Sequence, residues 1–148
     1  MKRPLRILGT LCAGAGILAA LWALTVWRWQ DPFTALYTTQ QQERLGVVYE
    51  QKQAAYTPPV AKRTPVRAQR RAIARAAQRY RRGLETGDAV GRLVVPRLGL
   101  NVIVVNGTDR TSLTKGPGRY KLSYVPGEGE LVYIAGHRTT YGAPFAHI

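Results

Sequence analysis

The chain has 148 residues, which leaves room for one domain plus attachments. Its net charge is +14, but nine of the 22 Lys and Arg fall in residues 62–88, so the charge is a local cluster and not a nucleic-acid-binding face spread over a domain. A single cysteine, Cys12, excludes an internal disulfide framework and any Cys-based metal site.

The first predicted element is a membrane helix. Ile7 to Trp27 is 21 residues without a formal charge. At about 1.5 Å per residue this length matches a hydrocarbon core of roughly 30 Å. Trp22, Trp27 and Trp29 crowd its C-terminal end, where indoles favour the interface. Lys2, Arg3 and Arg6 precede it, so the positive-inside bias places the N-terminus in the cytoplasm and the remainder outside. A cleaved signal peptide fits less well, because the small-residue triplet Ala13-Gly14-Ala15 lies inside the apolar run. An uncleaved signal anchor is expected over residues 1–29, with Cys12 as an apolar filler within it.

Residues 30–88 read as a helical stalk and linker. Asp31-Pro32 is a helix start, since Asp caps free amides and Pro fits the first turn. Residues 32–56 have no long apolar run and predict a mostly solvated helix. Thr57-Pro58-Pro59 breaks it. Val66, Ile73, Ala77, Tyr80 and Leu84 then fall at helical spacing, forming one apolar stripe on an Arg-rich helix that Gly83 and Gly87 end. The cations could meet anionic lipid or an acidic wall polymer. A linker helix packing its stripe on the next domain is the simpler expectation. With this topology nucleic acid is not a routine partner.

From Ala89 onward short β-type runs alternate with Gly and Pro turns. Strands are predicted at Val90–Val95, Leu100–Val105, Tyr120–Val125 and Leu131–Ala135. Asn106-Gly107 is a turn signal after the second. In Tyr120–Tyr124 the alternation predicts a half-buried strand. The fourth run leads into His137, followed by a polar loop marked by Gly142 and Pro144. His147 lacks such a context and reads as a surface residue. Asp109, Glu128 and Glu130 are too few and too scattered for a calcium cluster, so no metal and no cofactor is expected.

The motifs carry a resemblance. Gly91-Arg-Leu-Val-Val-Pro-Arg-Leu-Gly-Leu100, Val104-Val-Asn-Gly-Thr108, Lys115-Gly-Pro-Gly118, Pro126-Gly127 and Ala135-Gly-His-Arg-Thr-Thr-Tyr-Gly-Ala-Pro-Phe145 resemble the front half of a sortase domain. The last motif, with the anchor and the Ala/Arg-rich stalk, most resembles class E sortases of high-GC Gram-positive bacteria. The resemblance implies a mainly β catalytic domain over residues 89–148, the front half of a closed barrel of roughly eight strands. It implies a membrane-anchored transpeptidase with sorting-signal peptides of secreted surface proteins and a cell-wall or pilin amine as partners. A Leu-Pro-x-Thr-Gly-type signal, or its Leu-Ala-x-Thr-Gly variant, would be cleaved through a cysteine thioester. His137 matches the family histidine, which protonates the leaving amine. The family cysteine and arginine belong further downstream, and neither Arg119 nor Arg138 matches the arginine. The chain is therefore expected to be an inactive fragment with an incomplete barrel. A non-enzymatic surface protein is the alternative; an L,D-transpeptidase would need a His-x-x-Cys-type strand that the sequence lacks.

Overall fold

A computed structural model describes residues 2–29, 32–58 and 64–148. The expected cap Asp31 and the expected break at Pro59 lie outside the described residues, as do the side chains of Lys2, Arg3, Trp27 and Trp29. The chain runs α1 (Lys2–Trp29), α2 (Pro32–Ala54), α3 (Val66–Arg82), β1 (Ala89–Val95), β2 (Leu100–Asn106), α4 (Arg110–Lys115), β3 (Gly118–Arg119) and β4 (Ile134–Ala135). Within α1, Arg6–Val26 is long and apolar enough to cross a membrane, with a mean hydropathy of 2.0.

The four strands form one mixed sheet in the order β1-β2-β3-β4. β1 and β2 are an antiparallel hairpin, closed by a 3-10 turn at Pro96–Leu98, with Val95 opposite Leu100. A bulge between Ala89 and Gly91 shifts the register at the start of β1. β2 and β3 are parallel, so their connection must cross over, and α4 supplies the crossing. β3 and β4 are antiparallel. In β1 the exposed Arg92 and Val94 alternate with partly covered neighbours, as in a strand wet on one face. Ile103 to Asn106 of β2 are all buried, so this strand is covered on both sides.

Helix α4 was not among the expected elements. Asp109 begins it: its carboxylate accepts the backbone N–H of Ser112 at 3.0 Å and the Ser112 hydroxyl at 2.7 Å. Those bonds from Ser112 hold the Asp109 carboxyl below its ordinary pKa. Asn106-Gly107 is not the turn of a hairpin, because β2 leads into the crossover. Asn106 is a buried strand end instead, donating to the carbonyls of Leu84 and Glu85 at 3.2 and 2.9 Å.

The strand expected at Tyr120–Val125 is absent. Those residues curl around the guanidinium of Arg119, a side chain only 2% exposed. Arg119 Nη1 donates to the carbonyls of Tyr120, Lys121 and Ser123, and Nη2 donates to Asn106 Oδ1 at 2.6 Å. Carbonyls that converge on one cation cannot alternate across a pleat. The expected faces are also reversed, since Ser123 and Val125 are buried while Leu122 is 80% exposed. The strand expected at Leu131–Ala135 shrinks to its last two residues.

Helix α2 is not simply solvated. Gln42 uses its carboxamide as a strand would use a peptide group. Its Oε1 accepts the Ile103 N–H at 2.7 Å, and its Nε2 donates to the carbonyls of Ile103 at 3.0 Å and Lys115 at 2.8 Å. Thr38 donates to the Thr114 carbonyl at 2.9 Å. A Cβ at residue 116 would lie 2.2 Å from Gln42 Nε2, so glycine there makes room for the contact.

The apolar stripe of α3 packs on the β region through its C-terminal half. The Tyr80 hydroxyl lies 3.0 Å from the carbonyls of Ala89 and Val90. Ile73 and Ala77 approach Gly127. Arg81 pairs with Glu128 at 2.8 Å and lies 5.2 Å from the centre of the Tyr124 ring. Burial alone would raise the Glu128 pKa, but bonds from Arg81 and the Val125 N–H, with the charges of Arg81 and Arg119, bring it below its ordinary value.

Replacing Arg119 by Ala would strand Asn106 Oδ1 and the carbonyl of Ser123, while the Tyr120 carbonyl keeps the N–H and hydroxyl of Ser123. Each buried orphan costs about 1–3 kcal/mol. Arg119→Ala is expected to lower unfolding stability by at least about 2 kcal/mol, read from urea titration in detergent, and an unchanged midpoint would contradict this role of Arg119.

Candidate active site

The site is built on the loop that follows β4. Pairing of β4 with β3 sets Ala135 opposite Gly118, and the chain leaves the sheet at Gly136. A Cβ at 136 would meet the Phe145 ring at 2.9 Å, so the strand exit and the returning loop touch in a way that only glycine permits. Phe145 fills the space beside Gly136. The Phe145 N–H then donates to the His137 carbonyl at 3.2 Å, closing the loop onto itself.

His137 is half-buried at the mouth of this loop. Its Nδ1 lies 3.3 Å from the Thr140 hydroxyl. Its ring centre lies 4.8 Å from that of Tyr141, the planes tilted by 43°. One ring nitrogen therefore meets a hydroxyl that orients the ring. The loop stores strain to hold this shape. Tyr141 and Ala143 have φ of 52° and 39°, values that non-glycine residues adopt at a cost of about 1–3 kcal/mol each. The N–H of Ala143 donates to Thr140 O at 2.9 Å, and the N–H of Tyr141 donates to Thr34 Oγ1 of α2 at 3.0 Å.

The other residues singled out in the sequence lie apart. Arg138 is exposed beside the histidine. Arg119 is spent on the Tyr120–Ser123 loop. Burial and the charge of Arg81 lower its pKa, yet a guanidinium so bonded stays charged at neutral pH. His147 is exposed near the end of the described chain, and Cys12 is exposed on α1. Among the described residues no group of three or more His, Cys, Asp or Glu gathers in a way that could hold a metal ion.

The family model for the sortase domain matches residues 93–148. Over 56 residues the chain is 41% identical to Sortase D of Bacillus subtilis (strain 168). These matches support a sortase. The aligned stretch covers 38% of this chain and spans 28% of the length of Sortase D. No solved structure gives a significant match. The sortase-matched segment starts inside β1, takes in the rest of the sheet and contains the whole loop from His137 to Phe145.

Sequence reasoning placed Thr140 and Tyr141 only within the polar loop after His137, with no contact assigned to either, and missed Thr34 altogether. Thr140 carried a signal, since a hydroxyl three residues after a histidine in a tight loop can reach its ring. Thr34 carried none, because nothing local in α2 announces a contact 107 residues away.

Gly136→Ala drives a methyl group into the Phe145 ring. Overpacking of this kind costs about 1–3 kcal/mol. The variant is expected to lose that much stability and to shift the His137 and Phe145 amide resonances; a silent substitution would show that the loop does not close through this contact.

Proposed function

We propose that this chain is the anchor and front portion of a class E-type sortase, with His137 as its general acid. The observation that carries the reading is the half-buried His137, one nitrogen held by Thr140, inside the segment that matches the sortase domain. In this reading a cysteine thiolate attacks the threonine carbonyl of a Leu-Pro/Ala-x-Thr-Gly-type sorting signal. His137 protonates the departing glycine amine, and a thioester remains. An amine of a cell-wall precursor or pilin then attacks the thioester, and the surface protein is transferred to it.

The nucleophile is not Cys12. That side chain lies within a helix of membrane-crossing length, where a peptide substrate cannot reach. Arg119 is excluded as the oxyanion-steadying arginine by its buried hydrogen bonds. Residues 1–148 on their own are accordingly read as inactive.

The test is a chimera in which residues 93–148 replace the matching segment of Bacillus subtilis Sortase D. It should cleave a sorting peptide that Sortase D itself cleaves. His137→Ala should then reduce kcat/KM by about 10²–10⁴-fold, the usual worth of a positioned general acid. His147→Ala should change little, and the unfused 1–148 chain should show no turnover. Near-normal turnover in the His137→Ala chimera, or turnover by the unfused chain that vanishes with Cys12→Ala, would overturn the assignment.

For α1 the reading is a single-pass anchor with a cytoplasmic N-terminus, based on Lys2, Arg3 and Arg6 ahead of the apolar run. A phosphatase reporter placed after Ile148 should be active only when exported. Activity confined to a cytoplasmic reporter would reverse the topology.

A further inference from the structure

The loop that bears His137 is tied to a helix of a different part of the chain. The N–H of Tyr141 donates to the Thr34 hydroxyl at 3.0 Å, and Thr34 lies in the first turn of α2, directly beyond the helix of membrane-crossing length. Tyr141 is held at a φ of 52°, a conformation that a bulky residue keeps only when its surroundings over-determine it. The Tyr141 ring is in turn set 4.8 Å from the His137 ring. The preceding residue, Thr140, meets His137 Nδ1. Rotation of the Tyr141 peptide unit toward an ordinary φ would carry both neighbours of the imidazole away together.

We propose that Thr34 of α2 is a positioning residue for His137, acting through the backbone of Tyr141. Helix α2 is itself fixed where it must be for this task. Gln42, two turns further along, makes three hydrogen bonds to Ile103 and Lys115, and Thr38, one turn along, bonds to Thr114. Thr34, Thr38 and Gln42 follow the i, i+4, i+8 spacing of one helix face. That face is polar, and all three residues reach backbone groups of the β region. Threonine suits the first position: its hydroxyl accepts the Tyr141 N–H, and valine has the same shape without the acceptor. The setting of the imidazole thereby depends on whether the helix next to the anchor is docked. The inference rests on the assignment of His137 only for its bearing on catalysis; the geometry it invokes can be tested without turnover.

The experiment uses the whole 148-residue chain in lipid nanodiscs, with the His137 imidazole observed by NMR through its ring protons and its Nδ1/Nε2 tautomer pattern. Thr34→Val is expected to move the His137 ring protons toward random-coil shifts, as the Tyr141 ring departs, and to mix the two tautomers. Thr34→Ser, which restores the acceptor, is expected to return both signals to the parent values. The Gln42 side-chain amide resonances report whether α2 remains docked. Unchanged His137 signals in a docked Thr34→Val chain would overturn the proposal. Hydrogen exchange of the Tyr141 amide in the unaltered chain provides a second measurement that needs no variant. Protection comparable to that of the Ile103 amide is expected, and exchange as fast as at exposed Arg138 would also overturn it. Failure of these signals leaves the sortase chimera result untouched, and failure of the chimera leaves the coupling of Thr34 to His137 standing.

Discussion

The buried guanidinium of Arg119 is the constraint on which the β region depends. It joins the end of β2, through Asn106, to the loop between β3 and β4, through the carbonyls of Tyr120, Lys121 and Ser123. Asn106 passes the connection on to the backbone at Leu84 and Glu85, just beyond α3. One cation thus links three segments of the chain. A buried charge of this kind is costly to desolvate, and it is tolerated because most of its donors meet an oxygen. With that loop curled in place, the chain re-enters the sheet at β4 in the one register that delivers His137 to the mouth of its own loop.

Helix α2 is attached by a different kind of contact. Its bonds to β2 and α4 come from Thr38 and Gln42, not from an apolar stripe. The Gln42 carboxamide satisfies both the N–H and the C=O of Ile103, groups that β1 does not reach. A buried backbone pair left open at that point would cost about as much as a lost hydrogen bond for each group. Further along α2, Arg92 of β1 lies 5.8 Å from the Tyr49 ring and 3.2 Å from Glu50. These exposed contacts add little, since ion pairs in water contribute about 0–1 kcal/mol.

Much of the fold was legible because it obeys local rules. The apolar run in α1, the stripe of α3, and the β-type runs on either side of Pro96 and Gly99 all have the period of the element they form. His137 stood out because a histidine at the end of an apolar strand, ahead of a Gly- and Pro-marked loop, fits a family pattern. What could not be read came from long-range polar chemistry. The alternation at Tyr120–Tyr124 was real in the sequence, but the pull of Arg119 on three carbonyls overrode it. The docking face of α2 consists of Thr34, Thr38 and Gln42, which in a hydrophobicity pattern look like solvated positions. The small helix α4 was within reach, since Asp109 and Ser112 have the spacing of a cap and its partner.

The bond between Thr34 and Tyr141 spans 107 positions of the chain. A contact of that separation pays the full entropy of closing the intervening loop before it returns anything. The hairpin of β1 and β2 and the short helix α4 need only neighbours, and they can form while most of the chain is still unstructured. The clasp between the first turn of α2 and the His137 loop therefore belongs to the end of folding. Until residue 141 has been synthesised, no partner for Thr34 exists in the loop. In a chain made from its N-terminus onward, the segment next to the apolar helix waits for 107 further residues before the His137 loop acquires its clasp, so the setting of that imidazole forms later than the hairpin and helix α4.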